Sequence, residues 1–162
     1  MTPRNYVKRL YWSVATGFVA IAVLMAAVAD RFEFTINKSH SLDGTLYVIH
    51  KGAPIERGNL VAYRWHGGGP YPAGVTFIKV ARGMPGDVVS RIGQNFWING
   101  THIGAAKTHG RDGKPLEASS AGVIDAGEVF VATASVDSLD SRYAMSGNIA
   151  QRDIVGRAYV VF

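Results

Sequence analysis

From Leu10 to Ala29 the chain reads LYWSVATGFVAIAVLMAAVA, twenty consecutive residues without a charge. As a helix rising 1.5 Å per residue this run covers about 30 Å, the thickness of a bilayer's hydrocarbon core. Its flanks are asymmetric: Arg4, Lys8 and Arg9 precede it, while Asp30, Arg31 and Glu33 follow. The positive-inside rule then keeps the amino terminus in the cytoplasm and puts everything after Ala29 outside it. Tyr11 and Trp12 sit at the level of an interfacial aromatic belt. The expected organisation is a cytoplasmic terminus over 1–9, a transmembrane anchor over 10–29 and an extracytoplasmic domain over 30–162. Ala27-Val28-Ala29, directly before Asp30, also fits the small-residue cleavage pattern of a signal peptide. The run exceeds the roughly 7–15 residues of a signal core, which favours a retained anchor. A buried globular helix is the remaining alternative.

The charge of the chain follows this division. Of the formal net charge of +5 over 162 residues, three units come from Arg4, Lys8 and Arg9 before any acid occurs. The rest is nearly balanced, so the basic character is no argument for nucleic acid as a partner. There are no cysteines, which excludes disulfide frameworks, thiolate zinc sites, iron–sulfur clusters and cysteine nucleophiles. His50, His66, His102 and His109 share no metal-ligand spacing, so no metal is expected.

Beyond Asp30 no long helical period appears. Short β-branched and aromatic runs alternate with turn residues, and strands are expected over 45–50, 60–65, 76–81, 88–92, 96–98, 129–132 and 154–161. Asn99-Gly100, between FWI and THI, is a strong hairpin signal because both positions tolerate positive φ. Residues 104–126 are poor in large apolar groups and read as a surface excursion. Trp65 and Trp97 read as core or interface residues, and Lys51, Arg57 and Arg64 as solvated charges. The expectation is one mainly β domain behind one membrane helix.

Three clusters carry possible chemistry. In Lys38-Ser39-His40-Ser41-Leu42-Asp43-Gly44, the two serines are two apart, so in an extended segment their hydroxyls share a side. One could attack a carbonyl while the other donates to the oxyanion; a turn with solvated serines is the plainer reading. Lys79 interrupts an apolar strand. Burial would lower its proton affinity and make it a general base near neutral pH, whereas a lysine on the solvent face would do nothing. Asp137-Ser138-Leu139-Asp140-Ser141-Arg142-Tyr143 reads alone as a capped loop with a local ion pair.

In this order the clusters are more specific. A serine after an amino-terminal anchor, then Ile78-Lys79 followed by Gly83-Met84-Pro85-Gly86-Asp87, then Ser138-Leu139-Asp140-Ser141-Arg142-Tyr143, resembles the type I signal peptidase family. Asp112-Gly113-Lys114-Pro115-Leu116, Gly127-Glu128-Val129-Phe130 and Ile154-Val155-Gly156-Arg157-Ala158 are similar to its conjugative-transfer branch, the TraF-like pilin-processing peptidases. The resemblance implies a signal-peptidase-like coiled antiparallel β-sheet domain. It implies Ser41 as nucleophile, Lys79 as general base, and Ser39 with the Ser41 N–H as the oxyanion hole. Ser138 would orient the lysine, and Asp140 and Arg142 would brace the site wall. No metal or organic cofactor is implied. The substrate would be an exported protein, a pilin precursor, cleaved and in some cases cyclised. The partners would be membrane lipid and components of a conjugation or type IV secretion apparatus, at a bacterial inner membrane with the catalytic domain in the periplasm.

Some positions depart from the family's pattern. Asp43 stands where proline usually follows the nucleophile, His40 lies between the serines where small residues are frequent, Asn59 replaces an aspartate, and Ala144-Met145 replaces an aromatic-glycine pair. A general signal peptidase is the alternative substrate reading. A non-enzymatic apparatus component on a peptidase-like fold, and a self-cleaving repressor-type domain, are the alternatives in other classes.

Overall fold

The computed structural model describes residues 3–39 and 41–162. His40 and the first two residues of the expected cytoplasmic segment lie outside it. Helix α1 (Pro3–Arg31) contains the whole uncharged run, and the stretch Val7–Arg31 is long and apolar enough to cross a membrane. None of that stretch is buried against the rest of the chain. A helix this apolar and this uncovered needs an apolar solvent. Ala27, Val28 and Ala29 are helical, and the chain passes without a loop into strand β1 (Phe32–Ile36).

All seven expected strands form: β2 (Leu46–Lys51), β3 (Leu60–Arg64), β4 (Thr76–Gly83), β5 (Val88–Ile92), β6 (Asn95–Ile98), β9 (Glu128–Ala132) and β11 (Ile154–Val160). Between them come β7 (Thr101–Ala105), β8 (Gly122–Val123) and β10 (Ile149–Ala150). Every pairing is antiparallel. Seven strands run in the order β1-β2-β11-β3-β4-β9-β10, and four in the order β7-β6-β5-β8. The protein is thus a mainly β domain with a curled antiparallel sheet behind one apolar helix. Asn99 and Gly100 both take positive φ (48° and 80°) in the β6–β7 turn, as the hairpin signal requires.

Curling explains the continuous apolar runs. In β3, Val61 and Tyr63 face one core with Trp65, Ala81 and Val131, while Ala62 faces another with Tyr47, Ile49 and Ala158. In β9, Val129 and Val131 face the first of these, and Phe130 and Ala132 pack with Phe96, Ile98 and Ile124 under the smaller sheet. A strand covered on both faces has no polar side to alternate with.

Where the sheet folds most sharply, glycine is required. Register shifts on β11 between Ile154 and Gly156, and a Cβ at Gly156 would fall on the His50 carbonyl of the neighbouring strand. Gly156→Ala is expected to destabilise the domain by about 3 kcal/mol, the upper end of overpacking costs, because the obstacle is backbone and has no rotamer to yield. A urea titration of the detergent-solubilised protein checks this; an unchanged midpoint would mean the strands can part there.

Three residues read as solvated charges, of which Arg57 and Arg64 are exposed and Lys51 half-buried, each have a partner. Arg57 Nη2 meets Asp87 Oδ2 at 2.6 Å, Arg64 Nη2 meets Glu33 Oε2 at 2.7 Å, and Lys51 Nζ donates to the Ala29 carbonyl at 2.8 Å. The last two link β2 and β3 to the helix end and β1. The outer face of β1, β2 and β11 carries an apolar patch beside His50 and Arg157: Phe34 and Ile36 are 64 % and 63 % exposed, and Phe34 lies in register with Val48 and Tyr159.

Candidate active site

Both serines lie between β1, which ends at Ile36, and β2, which begins at Leu46. The shape of this segment comes from one amide. Asn37 Oδ1 accepts from the Ser39 N–H and from Ser39 Oγ, each at 3.0 Å, and Asn37 Nδ2 donates to the carbonyls of Leu42 and Gly44 at 3.0 and 3.1 Å. At the far end the Tyr47 hydroxyl donates to the Asp43 carbonyl, and Gly44 takes a φ of 95° against Val160. Asp43 therefore occupies its position through its backbone, where proline would have restricted the same turn.

Lys79 arrives from β4. It shares a face with Phe77 and Ala81, opposite Val61 of β3, so strand alternation turns it into the core. It is only 6 % exposed, with Nζ 5.6 Å from the centre of the Phe77 ring. Burial penalises its charged form and lowers its pKa from 10.5 to about 8, with Asp140 acting to raise it and Arg142 to lower it. Lys79 Nζ donates to Ser41 Oγ at 3.1 Å, and Ser41 Oγ lies 2.9 Å from Ser39 Oγ. A hydroxyl in contact with a lysine poised to be neutral near pH 8 can lose its proton to that lysine and attack a carbonyl.

Asp140 and Arg142 are 0 % and 1 % exposed. Arg142 Nε and Nη2 donate to the two carboxylate oxygens at 2.9 and 2.8 Å, and Nη1 and Nη2 continue to the carbonyls of Ala105 and Ser135 at 3.1 and 2.8 Å. The pair ties the loop after β9 to the end of β7. Gly104 permits this, since a Cβ there would press on Arg142 Nη1. The loop is further held by Val131 N–H donating to Ser141 Oγ at 2.9 Å and Ser119 Oγ donating to the Ser141 carbonyl at 2.7 Å. Gly83-Met84-Pro85-Gly86-Asp87, which follows the lysine strand, is closed by Asp87, whose carboxylate accepts from the Met84 N–H, Arg57 and Asn99. Burial works against the Asp87 charge, but these donors prevail and hold its carboxyl below the usual range.

A cleft of about 490 Å³ runs past Ser41 and Lys79. Its apolar wall comes from Ile36, Tyr71, Val75, Phe77 and Leu139. A second cavity of about 500 Å³, between Arg57, Arg82 and Asn99, contains no serine nucleophile.

Ser39, Ser41 and Lys79 thus meet, although 38 positions separate the last two. Ser138 lines the same cleft, but its buried hydroxyl has no hydrogen-bond partner, so the expected bond to Lys79 is not formed in this arrangement. Two groups escaped the sequence reading. Asn37 lies one residue before the serine cluster; Asn two places before a serine is an Asx-turn signal, and that is the bond it makes. Tyr63 presents a buried hydroxyl without a partner, its phenol pushed up by burial and by the Asp140 charge.

A family model described as signal peptidase, peptidase S26, matches residues 5–162. The chain belongs to the signal peptidase family. Among curated proteins none matches it. As a member of this family of serine peptidases it is a hydrolase of the signal peptidase type, and its apolar amino-terminal helix fits membrane anchoring. The match takes in α1 from residue 5, the serine loop, β4 and the loop after β9, so this signal peptidase carries its site within the matched region.

Proposed function

We propose that this signal peptidase is a membrane-anchored endopeptidase whose Ser41 and Lys79 form a catalytic dyad. The observation that carries the reading is the 3.1 Å contact between Lys79 Nζ, buried on the core face of β4, and Ser41 Oγ. Neutral Lys79 takes the Ser41 proton as Oγ attacks the scissile carbonyl. The Ser41 N–H and the Ser39 hydroxyl hold the oxyanion. Lys79 then protonates the leaving amine, and water or another amine resolves the ester. Ser138, whose buried hydroxyl at the cleft has no other partner, is the group that orients the lysine. Asp140 and Arg142 brace the wall behind it.

The substrate proposed is an exported precursor, a conjugative pilin, in keeping with the likeness of Asp112–Leu116, Gly127–Phe130 and Ile154–Ala158 to the TraF-like branch. The helix is retained as the anchor, because Ala27–Ala29 lies inside it and is not offered as an extended segment. The amino terminus is cytoplasmic, residues 30–162 form the periplasmic catalytic domain at a bacterial inner membrane, and the exposed Phe34–Ile36 face rests on lipid. Holding enzyme and the apolar segment of the precursor on one membrane raises their effective concentration.

The test is incubation of full-length protein with the candidate pilin precursor, read by mass spectrometry. A product lighter than the linear cleaved chain by one water, with no free amino terminus, shows that the precursor's own amine resolved the ester. A linear product means hydrolysis, and an uncut pilin alongside a cut secretory precursor favours general signal-peptide removal. The pH dependence has a definite sign. Only neutral lysine is a base, so the rate should climb as pH rises through about 8 and level off above it. A flat profile from pH 6 to 9.5 would remove Lys79 from the base role.

A further inference from the structure

The Asn37 amide has two donor hydrogens and a carbonyl with two lone pairs, and all four are used. Both bonds to Oδ1 come from Ser39. A serine hydroxyl has one proton, and when Asn37 Oδ1 holds it, the Ser39 oxygen can only accept from Ser41, 2.9 Å away. Lys79 in turn donates to Ser41 Oγ. The four groups therefore form a chain of one polarity: Lys79 to Ser41, Ser41 to Ser39, Ser39 to Asn37. The terminal acceptor is an amide, which does not titrate, so the Ser39-to-Asn37 link keeps its polarity at every working pH.

We infer that Asn37 is a positioning residue for the peptidase reaction, acting through Ser39. It fixes the Ser39 backbone and rotamer beside Ser41, and it keeps the Ser39 proton off the nucleophile's lone pairs until the oxyanion develops. The inference rests on the dyad reading above. When Lys79 is neutral, the Ser41 proton turns to Nζ. As the carbonyl oxygen gains charge, the Ser39 hydroxyl rotates from Asn37 to it. A neutral hydrogen bond is exchanged for a charge-assisted one, about twice as strong, so the exchange favours the transition state over the ground state. No proton passes to Asn37. Without it the Ser39 side chain is free among its staggered rotamers, and its proton competes for the electron pair that must attack.

The experiment uses the full-length protein in detergent with p-nitrophenyl acetate, and follows acetylation of Ser41 by peptide mapping. Wild type and Lys79→Met come first. If Lys79→Met acetylates Ser41 at the wild-type rate, the dyad reading falls and the inference with it. If Lys79→Met is slow, the Asn37 variants decide alone. Asn37→Ala should be slower than wild type by about 10-fold, the weight of one neutral hydrogen bond, and Ser39→Ala by about 10²-fold. The double variant should be no slower than Ser39→Ala. Independent losses that multiply to about 10³-fold would make Asn37 a loop brace only, and a wild-type rate in Asn37→Ala would also overturn the inference. If Asn37→Ala does not fold by circular dichroism, Asn37→Asp replaces it. Aspartate keeps an acceptor for Ser39 but makes that bond charge-assisted before reaction, so the rate well above pH 8 should fall below wild type, with the rise moved to higher pH by the added negative charge. A wild-type rate well above pH 8 would overturn the inference.

Discussion

Ser41→Ala and Lys79→Met are each expected to reduce precursor cleavage by roughly 10⁴-fold or more, and the double variant should lose no more than either single one, because nucleophile and base act as a unit. Lys79→Arg should be equally inactive, since arginine stays protonated. The lysine variants carry a second, opposite effect. A lysine whose folded pKa is about 8 against 10.5 in the unfolded chain costs about 3 kcal/mol while it is held charged in the core. The folded state binds fewer protons than the unfolded state between those values, so wild-type stability rises with pH across that window. Lys79→Met should therefore be more stable than wild type, fully so below pH 8 and by less as pH climbs towards 10.5. Urea midpoints at pH 6.5 and pH 10 measure this. Equal gains at both would mean that packing, not charge, separates the two proteins. An inactive but stabilised variant is the mark of a residue kept for chemistry.

Arg142→Ala should be the most damaging single change to the fold outside the glycines. It leaves the Asp140 carboxylate with no countercharge at a position of 0 % exposure and frees the carbonyls of Ala105 and Ser135. Removing one partner of such a pair costs about 3–5 kcal/mol, whereas replacing both by apolar groups of similar volume is far milder. Asp140→Leu/Arg142→Met should accordingly melt at a higher temperature than Arg142→Ala. Arg142→Lys should rescue poorly, because one ammonium cannot reproduce a bidentate fork that also reaches two carbonyls. The folded fraction of Arg142→Ala should show a second signature. Arg142 lowers the Lys79 pKa and Asp140 raises it, so removing the arginine moves the activity rise to higher pH. An unshifted rise would mean the pair is only a brace.

Strands whose apolar residues lie between turn signals were legible from the sequence. Asn99-Gly100 specified its hairpin because few residues accept positive φ twice in succession. β1 was not legible: Phe32–Ile36 follows the helix without a turn residue, and its charges looked like the flank of a membrane span. β8 and β10 are two residues each, too short to have a period. At the site, the lysine was readable as a charge inside an apolar strand, and β4 does turn it inwards. Which serine it meets was not readable from spacing, since a separation of 38 positions leaves that to sheet topology. Asn37 was missed because its four bonds are all local, and a local bond leaves no apolar pattern behind it. The surface excursion over 104–126 was legible in outline, but Gly104 and Ala105, which receive Arg142, were not.

On the proposed mechanism Ser41 becomes acylated in a step that needs neutral Lys79. The most direct measurement is acid quenching of full-length enzyme during turnover of a precursor peptide with an Ala-x-Ala site, followed by peptide mapping of the covalent adduct. The expected adduct is an ester between Ser41 and the amino-terminal fragment, whose yield grows as pH rises through about 8 and which vanishes in Lys79→Met. An adduct on Ser39 or Ser138, or continued cleavage by Ser41→Ala, would contradict it.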